Sequence, residues 1–508
     1  MIATAKSTLD ELSTFVRETA MLESIQSLLE WDERTKMPIQ AGEYRAEQIT
    51  YLSGMIHQRR TDPRIGQWLD ELAASPLADD PHSDIGTTVR QMRRDYDRRT
   101  RLPQSLVEAL TRQSVLGQQA WVKAREENDF LAFRPHLEEM IRLKKEQAAA
   151  IGFRDQPYDA LLDEYEPGES TERVAAILAA LREQLSPLVA EVVATGKRAP
   201  VEILRREFPT SSQESFGRGV AARIGFSFDR GRLDVTHHPF CSGMGPHDCR
   251  ITTRYDERFF PSAFFGILHE AGHGIYDQGL RSEQYGLPPG SYVSLGIHES
   301  QSRLWENFVG RNYSFWRHFF PQAQATFPSA LEGVRLEEFY FAINQVQPSL
   351  IRVEADEATY NLHIIIRFEL EQSLIRDDLL VADLPTAWRD KYREYLGIDA
   401  CDDADGVLQD IHWSAGLFGY FPTYALGNLY AAQFYDAADR QLGGLDGLFA
   451  QGEFEPLLLW LRHNIHQQGQ CYTPAELALR VSGQPLTPAA LIRHLRQKLA
   501  PLYGIRCG

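Results

Sequence analysis

Residues 261–276 read PSAFFGILHEAGHGIY, and they decide how the rest of the chain is interpreted. Pro261 is favoured in the first turn of a helix, and the apolar residues after it predict a buried helical body. His269 and His273 are four residues apart, so a helix projects both imidazoles from one face, where they can bind one ion. Glu270 would lie beside that ion, where a carboxylate can take a proton from water. This HExxH pattern is the signature of zinc hydrolases.

The same pattern also arises by chance when two histidines lie on the surface of an ordinary helix. The apolar residues before His269 argue against that alternative, because two unpaired histidines on a buried helix would be costly. We therefore predict that this helix binds a metal ion.

A zinc peptidase needs a third protein ligand and an open position for water. A histidine six residues after His273 would indicate one common arrangement, but position 279 is glycine. The remaining candidates are the carboxylates of Glu299, Glu306 and Asp277. Asp277 lies one turn beyond His273 and is better placed to hydrogen-bond a liganding imidazole. Spacing favours Glu299 over Glu306, because Glu299 falls near the start of the next predicted helix, from which it can reach back to the ion.

Helical periodicity dominates the chain outside this motif. Between Glu172 and Thr195, apolar residues recur at three- and four-residue spacing, with Ser170 and Thr171 as the predicted N-cap and Gly196 as a stop. Comparable patterns predict helices over residues 8–32, 42–60, 105–125, 130–150, 333–347, 354–376, 424–440 and 488–500.

Strand signals are scarce. The best of them, RLDVTHHPF and CRITTRY, lie in the region from Leu233 to Tyr255 on either side of the turn CSGMGPHD, and they predict a small antiparallel ribbon. No repeat, low-complexity tract or flexible linker divides the chain. We therefore predict a mainly α fold in which residues 1–508 form a single domain, with helical halves flanking a central groove.

The composition limits what the protein can bind. A net charge of −17 over 508 residues disfavours nucleic acid as a partner, because phosphate binding needs clustered Lys and Arg. The chain has no run of about 18 apolar residues and no apolar segment near Met1. We therefore expect neither a membrane span nor a signal peptide.

The cysteines are odd in number, scattered and free of any CxxC spacing. This usage favours free thiols in a reducing cytoplasm. Cys241 and Cys249 are close enough in sequence to form a metal-binding or disulfide pair, which remains an alternative. The full set is Cys241, Cys249, Cys401, Cys471 and Cys507.

Several further motifs, together with HEAGHGIYDQGL and HESQSRLWEN, carry a likeness to a known family. The chain resembles the carboxypeptidase Taq family of metallocarboxypeptidases, and the likeness spans nearly its whole length. The motifs shared with that family are WDERTKMP, PYDALLDEYEPG, HPF (238–240), DxRxT (248–252), IRxxAD (351–356) and GxxQDxHW (406–413).

The resemblance implies more than the spacing does. The family removes single residues from peptide C-termini with broad specificity, so peptides with a free C-terminus are the expected substrates. Its fold is a saddle-like helical body with a deep groove, related to the neurolysin-like peptidases, and its members are usually homodimers. In its HES motif the glutamate is the third metal ligand, which selects Glu299. Zinc is the usual metal, with cobalt as the alternative.

A carboxypeptidase must also recognise the terminal carboxylate of its substrate, and an arginine fork is the natural partner. Arg352 and Arg250 are the candidates. Each has an alternative role as a member of a structural ion pair, with Asp356 or Asp248 close in sequence. An anchored carboxylate would also explain exopeptidase activity, because an internal peptide bond would leave a buried arginine unpaired.

The oxyanion of the reaction needs hydrogen-bond donors as well as the metal. The segment QDIHWSAGLFGYFPTYALGN offers His412, Tyr420 and Tyr424, and related neurolysin-like enzymes carry a histidine followed by tyrosines at similar offsets. The alternative is that both tyrosines belong to an aromatic core. His238 either lines the substrate pocket or stabilises the ribbon.

These residues predict a metallocarboxypeptidase in which Glu270 is the general base. One alternative is a metallo-oligopeptidase that cuts internal bonds. The other is a non-catalytic, metal-bound scaffold that presents a peptide-binding groove. Retention of Glu270 argues against the scaffold, because a binding protein has no need of a base.

Overall fold

Helices make up most of the computed structural model, which describes the backbone of residues 2–506 and the side chains of residues 4–506. The mainly α fold predicted from the sequence is confirmed. Cys507 lies outside the described residues. None of the helices within residues 2–506 combines the length and the apolar character that a bilayer crossing requires.

The α-helices are numbered in chain order. They are α1 (Ile2–Thr35), α2 (Gly42–Arg60), α3 (Pro63–Ala73), α4 (Asp84–Arg101), α5 (Gln104–Glu127), α6 (Phe130–Ile151), α7 (Pro157–Leu162), α8 (Thr171–Ala194), α9 (Thr210–Ile224), α10 (Phe260–Gly279), α11 (Leu295–Arg303), α12 (Tyr313–Thr326), α13 (Pro328–Leu331), α14 (Leu336–Ile343), α15 (Tyr360–Ile375), α16 (Leu384–Leu396), α17 (Pro422–Leu442), α18 (Leu445–Ala450), α19 (Glu455–Asn464), α20 (Pro474–Ser482) and α21 (Ala489–Tyr503). A π-helical turn, Leu304–Val309, continues α11 directly. Short 3-10 helices cover Ile39–Ala41, Pro76–Ala78, Val201–Arg205, Ser282–Gln284, Pro288–Gly290, Arg352–Glu354, Val381–Asp383 and His466–Cys471.

The strongest helical pattern of the sequence corresponds to α8. Ser170 caps this helix, because its Oγ accepts a hydrogen bond from the backbone N–H of Arg173 at 3.3 Å. The other predicted ranges fall on α1, α2, α5, α6, α14, α15, α17 and α21, although the range 333–347 extends beyond both ends of α14. The range 354–376 is too long at its start, because the 3-10 turn Arg352–Glu354 and the residues after it precede α15.

The chain divides into two compact units, each assembled from separate stretches. The first unit contains residues 1–100, 200–343 and 434–484, and it carries the sheet and α10. The second unit contains residues 101–199, 344–433 and 485–508, and it carries α8 and α15. The single domain expected over residues 1–508 remains a prediction.

The small sheet of the first unit differs from the predicted ribbon. Its strands are β1 (Gly231–Val235), β2 (Cys241–Gly243) and β3 (Cys249–Thr253), in the order β1-β3-β2, so β1 is an edge strand. The prediction that the stretches around β1 and β3 pair antiparallel was wrong: they pair parallel, and β2 supplies the antiparallel partner.

The cause lies in the segment predicted to be a turn. Because this segment has the sequence of a turn, β2 was not predicted. Strand β2 forms a hairpin with β3 through residues 244–248. Because β2 occupies one edge of β3, β1 can pair only with the other edge. Strands β1 and β3 both run opposite to β2, so they are parallel to each other.

Helix α10 crosses the core of the first unit on a layer of aromatic rings. Phe260 and Phe264 stack on each other with their ring centroids 5.0 Å apart, and Trp316 packs on Phe264 at 5.1 Å. Toward the other end, Gly272 faces the backbone of α11. A Cβ at this position would lie 2.6 Å from the carbonyl oxygen of Gln301 and from Cα of Ser302. The glycine therefore permits a close approach of α10 and α11.

Candidate metal centre and active site

The two histidines of the HExxH pattern lie together on α10. Pro261 occupies its first turn, as the sequence predicts, and the residues between it and His269 are largely buried. The imidazole rings of His269 and His273 lie edge to face with centroids 4.9 Å apart. A helix therefore presents both side chains from one face, as two ligands of one ion require.

Glu299 reaches the histidines from α11. This helix is capped by Ser294, whose Oγ accepts from the backbone N–H of Ile297 at 3.0 Å. Oε2 of Glu299 lies 3.7 Å from Nε2 of His269 and 3.4 Å from Nε2 of His273. All three donor atoms lie within 4.8 Å of one another. Two imidazole nitrogens and one carboxylate oxygen fit the ligand set of a catalytic zinc site.

Neighbouring groups hold Glu299 in its charged form. Nε of Arg303 donates to its Oε1 at 2.7 Å, and Oγ of Ser302 donates to its Oε2 at 3.1 Å. Burial alone would raise the pKa of Glu299, but Arg303 and the two histidines outweigh burial and hold this pKa well below its usual range. A carboxylate that stays ionised is what a metal ligand must be.

Glu306, the competitor for the third position, contacts the far side of His269. It lies in the π-helical turn, and its Oε2 is 2.9 Å from Nδ1 of His269. This contact orients the ring so that Nε2 points toward Glu299, because only one ring nitrogen is free to act as a ligand. Arg303 joins the two carboxylates, since its Nη1 lies 3.3 Å from Oε2 of Glu306.

Behind His273 lies a chain of two further side chains. Nδ1 of His273 is 2.6 Å from Nδ1 of His298, and Nε2 of His298 is 2.9 Å from Oδ1 of Asp277. The prediction that Asp277 would contact a liganding imidazole directly was wrong, because His298 intervenes. The sequence reasoning missed His298, although its place immediately before Glu299 was the available signal.

Glu270 is buried beside the three candidate ligands. Among the described residues its Oε2 has no hydrogen-bond partner. Burial raises the pKa of Glu270 to about 7, against the opposing effect of His269. A buried carboxyl group with a free oxygen and a pKa near neutrality suits proton transfer.

The remaining predicted residues of the first unit lie on or next to the sheet. Arg250, on β3, donates from Nε and Nη2 to the two carboxylate oxygens of Asp248 at 2.9 and 2.8 Å. Its guanidinium also lies over the ring of Trp31, 4.4 Å from the centroid. The ion pair with Asp248, foreseen as an alternative role, is therefore present. His238 is exposed on the segment that joins β1 to β2.

In the second unit, Arg352 is buried and held by Asp410, which is distant in sequence, and by the nearer Tyr360. Its Nε and Nη2 contact Oδ1 of Asp410 at 2.9 and 2.8 Å, and its Nη1 contacts the hydroxyl of Tyr360 at 3.0 Å. The other oxygen of Asp410 accepts from Nε of Arg367 at 2.6 Å. The suggested ion pair with Asp356 was wrong, because that carboxylate accepts hydrogen bonds from backbone N–H groups near the start of α15.

The predicted oxyanion residues form a cluster of rings in the same unit. Nε2 of His412 lies 3.3 Å from the hydroxyl of Tyr424, and Tyr420 packs on both rings with centroids about 5.5 Å away. Burial lowers the pKa of His412 to about 4 against the opposing charge of Asp410, so its imidazole is neutral near pH 7. Among the described residues, Nδ1 of His412 is buried without a hydrogen-bond partner.

Comparison with known proteins gives one consistent result. The model of the carboxypeptidase Taq (M32) metallopeptidase family matches residues 11–499. The chain is 47% identical to thermostable carboxypeptidase 1 of Thermus thermophilus, covering 99% of this chain and 100% of that protein. It is 39% identical to carboxypeptidase 1 of Bacillus subtilis, covering 94% and 95%. Among solved structures, the M32 carboxypeptidase of Deinococcus radiodurans R1 is 41% identical with a TM-score of 0.95, covering 98% of this chain and 100% of that one.

Proposed function

Because the chain belongs to the carboxypeptidase Taq (M32) family and is a metallocarboxypeptidase, we propose that Glu270 acts as its general base beside an ion held by His269, His273 and Glu299. We propose that the enzyme removes single residues from the C-termini of peptides with broad specificity. The observation that carries the assignment of the base is the buried oxygen of Glu270, which has no hydrogen-bond partner in the described part of the chain and lies next to the three converging donor atoms.

The ion itself is proposed to be zinc, with cobalt as the alternative. An ion bound there supplies a Lewis acid that polarises a carbonyl group and makes water more acidic. Neighbouring side chains prepare the three ligands for an ion. Arg303 keeps Glu299 ionised. Glu306 orients the imidazole of His269, and His298 orients that of His273. This support leaves Nε2 of each histidine directed toward Glu299.

Glu270 would move the proton of the reaction. Its carboxylate would take a proton from the attacking water and pass it to the leaving amine. Burial favours this double role, because it holds the pKa of Glu270 near neutrality and so balances the acid and base forms.

Recognition of the substrate is assigned to polar residues with the required chemistry. We propose that Arg352 and Arg250 bind the terminal carboxylate, with His238 lining the pocket. Asp410 and Tyr360 contact three N–H groups of the five that a guanidinium carries, which fixes the plane of the Arg352 fork. A fork fixed in this way loses little entropy when it binds a carboxylate.

Stabilisation of the oxyanion is assigned to His412, Tyr420 and Tyr424. The contact between His412 and the Tyr424 hydroxyl supports this assignment, because it shows that the polar edges of the two rings face each other. Donors held in place before the reaction cost no reorganisation when negative charge develops.

Two further proposals concern the state of the protein in the cell. We propose that it is a homodimer, by the resemblance to its family. We also propose that it works in the cytoplasm, since the four described cysteines are free thiols, which suits a reducing compartment.

The function is tested by mass spectrometry of peptide digests. A peptide with a free C-terminus, its C-terminally amidated form and a chelator control are compared. We expect residues to be lost one at a time from the free acid, the amide to resist, and chelation to stop the reaction. Internal cleavage of both peptides would refute the roles of Arg352 and Arg250. No cleavage with zinc or cobalt supplied would favour a binding scaffold.

A further inference from the structure

A second group of potential metal ligands lies near α10, and the function described above does not use it. It consists of Cys241 on β2, Cys249 on β3 and Asp277 near the end of α10. Their donor atoms all lie within 4.8 Å of one another. The antiparallel pairing of β2 with β3 brings the two thiols together, and the packing of α10 on the sheet adds the carboxylate.

The distances between these donors match the edges of a tetrahedron around one ion. The two Sγ atoms are 3.5 Å apart, and Oδ2 of Asp277 lies 3.9 Å from Sγ of Cys241 and 3.8 Å from Sγ of Cys249. Zinc bonds of about 2.3 Å to sulfur and about 2.0–2.2 Å to oxygen give a sulfur–sulfur edge of roughly 3.8 Å and sulfur–oxygen edges of roughly 3.5–3.7 Å. Shifts of roughly 0.1–0.4 Å in the distances between the donors would therefore let them bind one ion.

A disulfide fits this geometry less well. Cys241 is paired with Ile251 and Gly243 with Cys249, so the two cysteines are diagonal neighbours on the ladder and not directly opposite. Diagonal neighbours have Cα atoms about 7–8 Å apart, whereas a disulfide needs about 4.4–6.8 Å. Joining the thiols would therefore require the strands to shift.

We propose that Cys241, Cys249 and Asp277 form a second metal site, selective for a thiophilic divalent cation of tetrahedral preference such as zinc or cadmium. Thiolate ligands distinguish it from the nitrogen- and oxygen-donor centre of the active site. Its entry side is Cys241, which is half-buried, while Cys249 is buried.

The two sites share a line of hydrogen bonds. Oδ2 of Asp277 faces the thiols, while its Oδ1 contacts His298, which contacts His273. One carboxylate thus belongs to the thiolate site and also supports a ligand of the active-site ion. This link rests on the proposed function, whereas the thiolate site itself does not.

The test uses the full chain, freed of metal by a chelator and then titrated with Co²⁺. Cobalt bound by thiolates gives an intense charge-transfer absorption in the near ultraviolet, which nitrogen and oxygen ligands do not give. We expect this band in the wild-type protein, together with uptake of a second equivalent of metal. A thiol must lose its proton to bind a metal, so uptake should also release protons.

Three variants test which residues produce the charge-transfer band. Cys241→Ser should lose the band and the second equivalent while keeping peptidase activity. The matched control, Cys401→Ser, changes an exposed cysteine and should keep both. His269→Ala should lose peptidase activity but retain the band, so failure of the second site is separable from failure of the proposed function.

Several results would overturn the proposal. One is a wild-type protein that shows no charge-transfer band with saturating Co²⁺ or Cd²⁺. Another is a band that survives in Cys241→Ser, or one that disappears with Cys401→Ser. Mass spectrometry that finds Cys241 and Cys249 joined in the freshly isolated protein would also refute it.

Discussion

The close contact between α10 and α11 can be tested with Gly272→Ala. The new Cβ would lie 2.6 Å from two backbone atoms of α11, about 1 Å inside normal van der Waals separation. Backbone cannot rotate away as a side chain can, so α11 must shift and carry Glu299 with it. Overpacking costs about 1–3 kcal/mol, and the better helix propensity of alanine returns about 1 kcal/mol. We expect a net loss of stability of up to about 2 kcal/mol.

A matched substitution on the same helix is Gly266→Ala. Its Cβ would make only an ordinary contact, 3.6 Å from Oγ1 of Thr253. We expect it to stabilise the protein by up to about 1 kcal/mol.

Both variants are compared by denaturant unfolding and by competition for zinc with a chelator. Movement of Glu299 should weaken zinc binding by about 10–100-fold in Gly272→Ala and leave Gly266→Ala unchanged. Equal stability and equal zinc affinity in the two variants would show that the helix contact does not set the ligand geometry.

Three further perturbations test other groups. Glu270→Gln should lower turnover by about 10²–10⁴-fold because it removes the base, while metal content by elemental analysis stays at the wild-type level; unchanged turnover would refute the role of Glu270. Burial is the chief reason that the pKa of the Glu371 carboxyl is raised from 4.5 to about 7 in the folded protein. Between these two pH values Glu371 is ionised in the unfolded chain but still protonated in the folded one, so the free energy of unfolding should fall by about 3 kcal/mol as the pH rises from 4.5 to 7. Denaturant titrations at pH 5 and pH 8 should show that Glu371→Gln removes most of this fall, and an unchanged difference would contradict the assignment. Asp410→Ala leaves two buried arginines unpaired and should cost about 3–5 kcal/mol in unfolding experiments, whereas the exposed control Asp405→Ala should change little; equal effects would show that the ion pairs do not matter.

Features encoded by residues close in sequence were predictable. The spacing of His269, Glu270 and His273 predicted which face of α10 carries the metal ligands. The cap signal at Ser170 predicted where α8 begins. The same holds for the pair of Arg250 and Asp248, because only one residue separates them at the start of β3. Spacing alone favoured Glu299 without deciding for it, and the family resemblance made the choice.

Features that depend on distant contacts were not predictable. Arg352 pairs with Asp410, which follows it by more than fifty residues, and no local pattern indicates that meeting. The contact of His298 with His273 depends on how closely α10 and α11 pack, which periodicity does not report. The direction of β1 likewise follows from which edge of β3 is already occupied.

The edge position of β1 has a consequence for how the protein behaves at high concentration. An uncovered strand edge invites pairing with another chain, which is a route to aggregation. Here Asp234 is a largely buried charge within the strand, and it is paired with Arg232 and with Lys36, which directly follows α1. An incoming strand would have to disturb these ion pairs. The charges of β1 therefore act as a barrier to edge-to-edge association of the sheet.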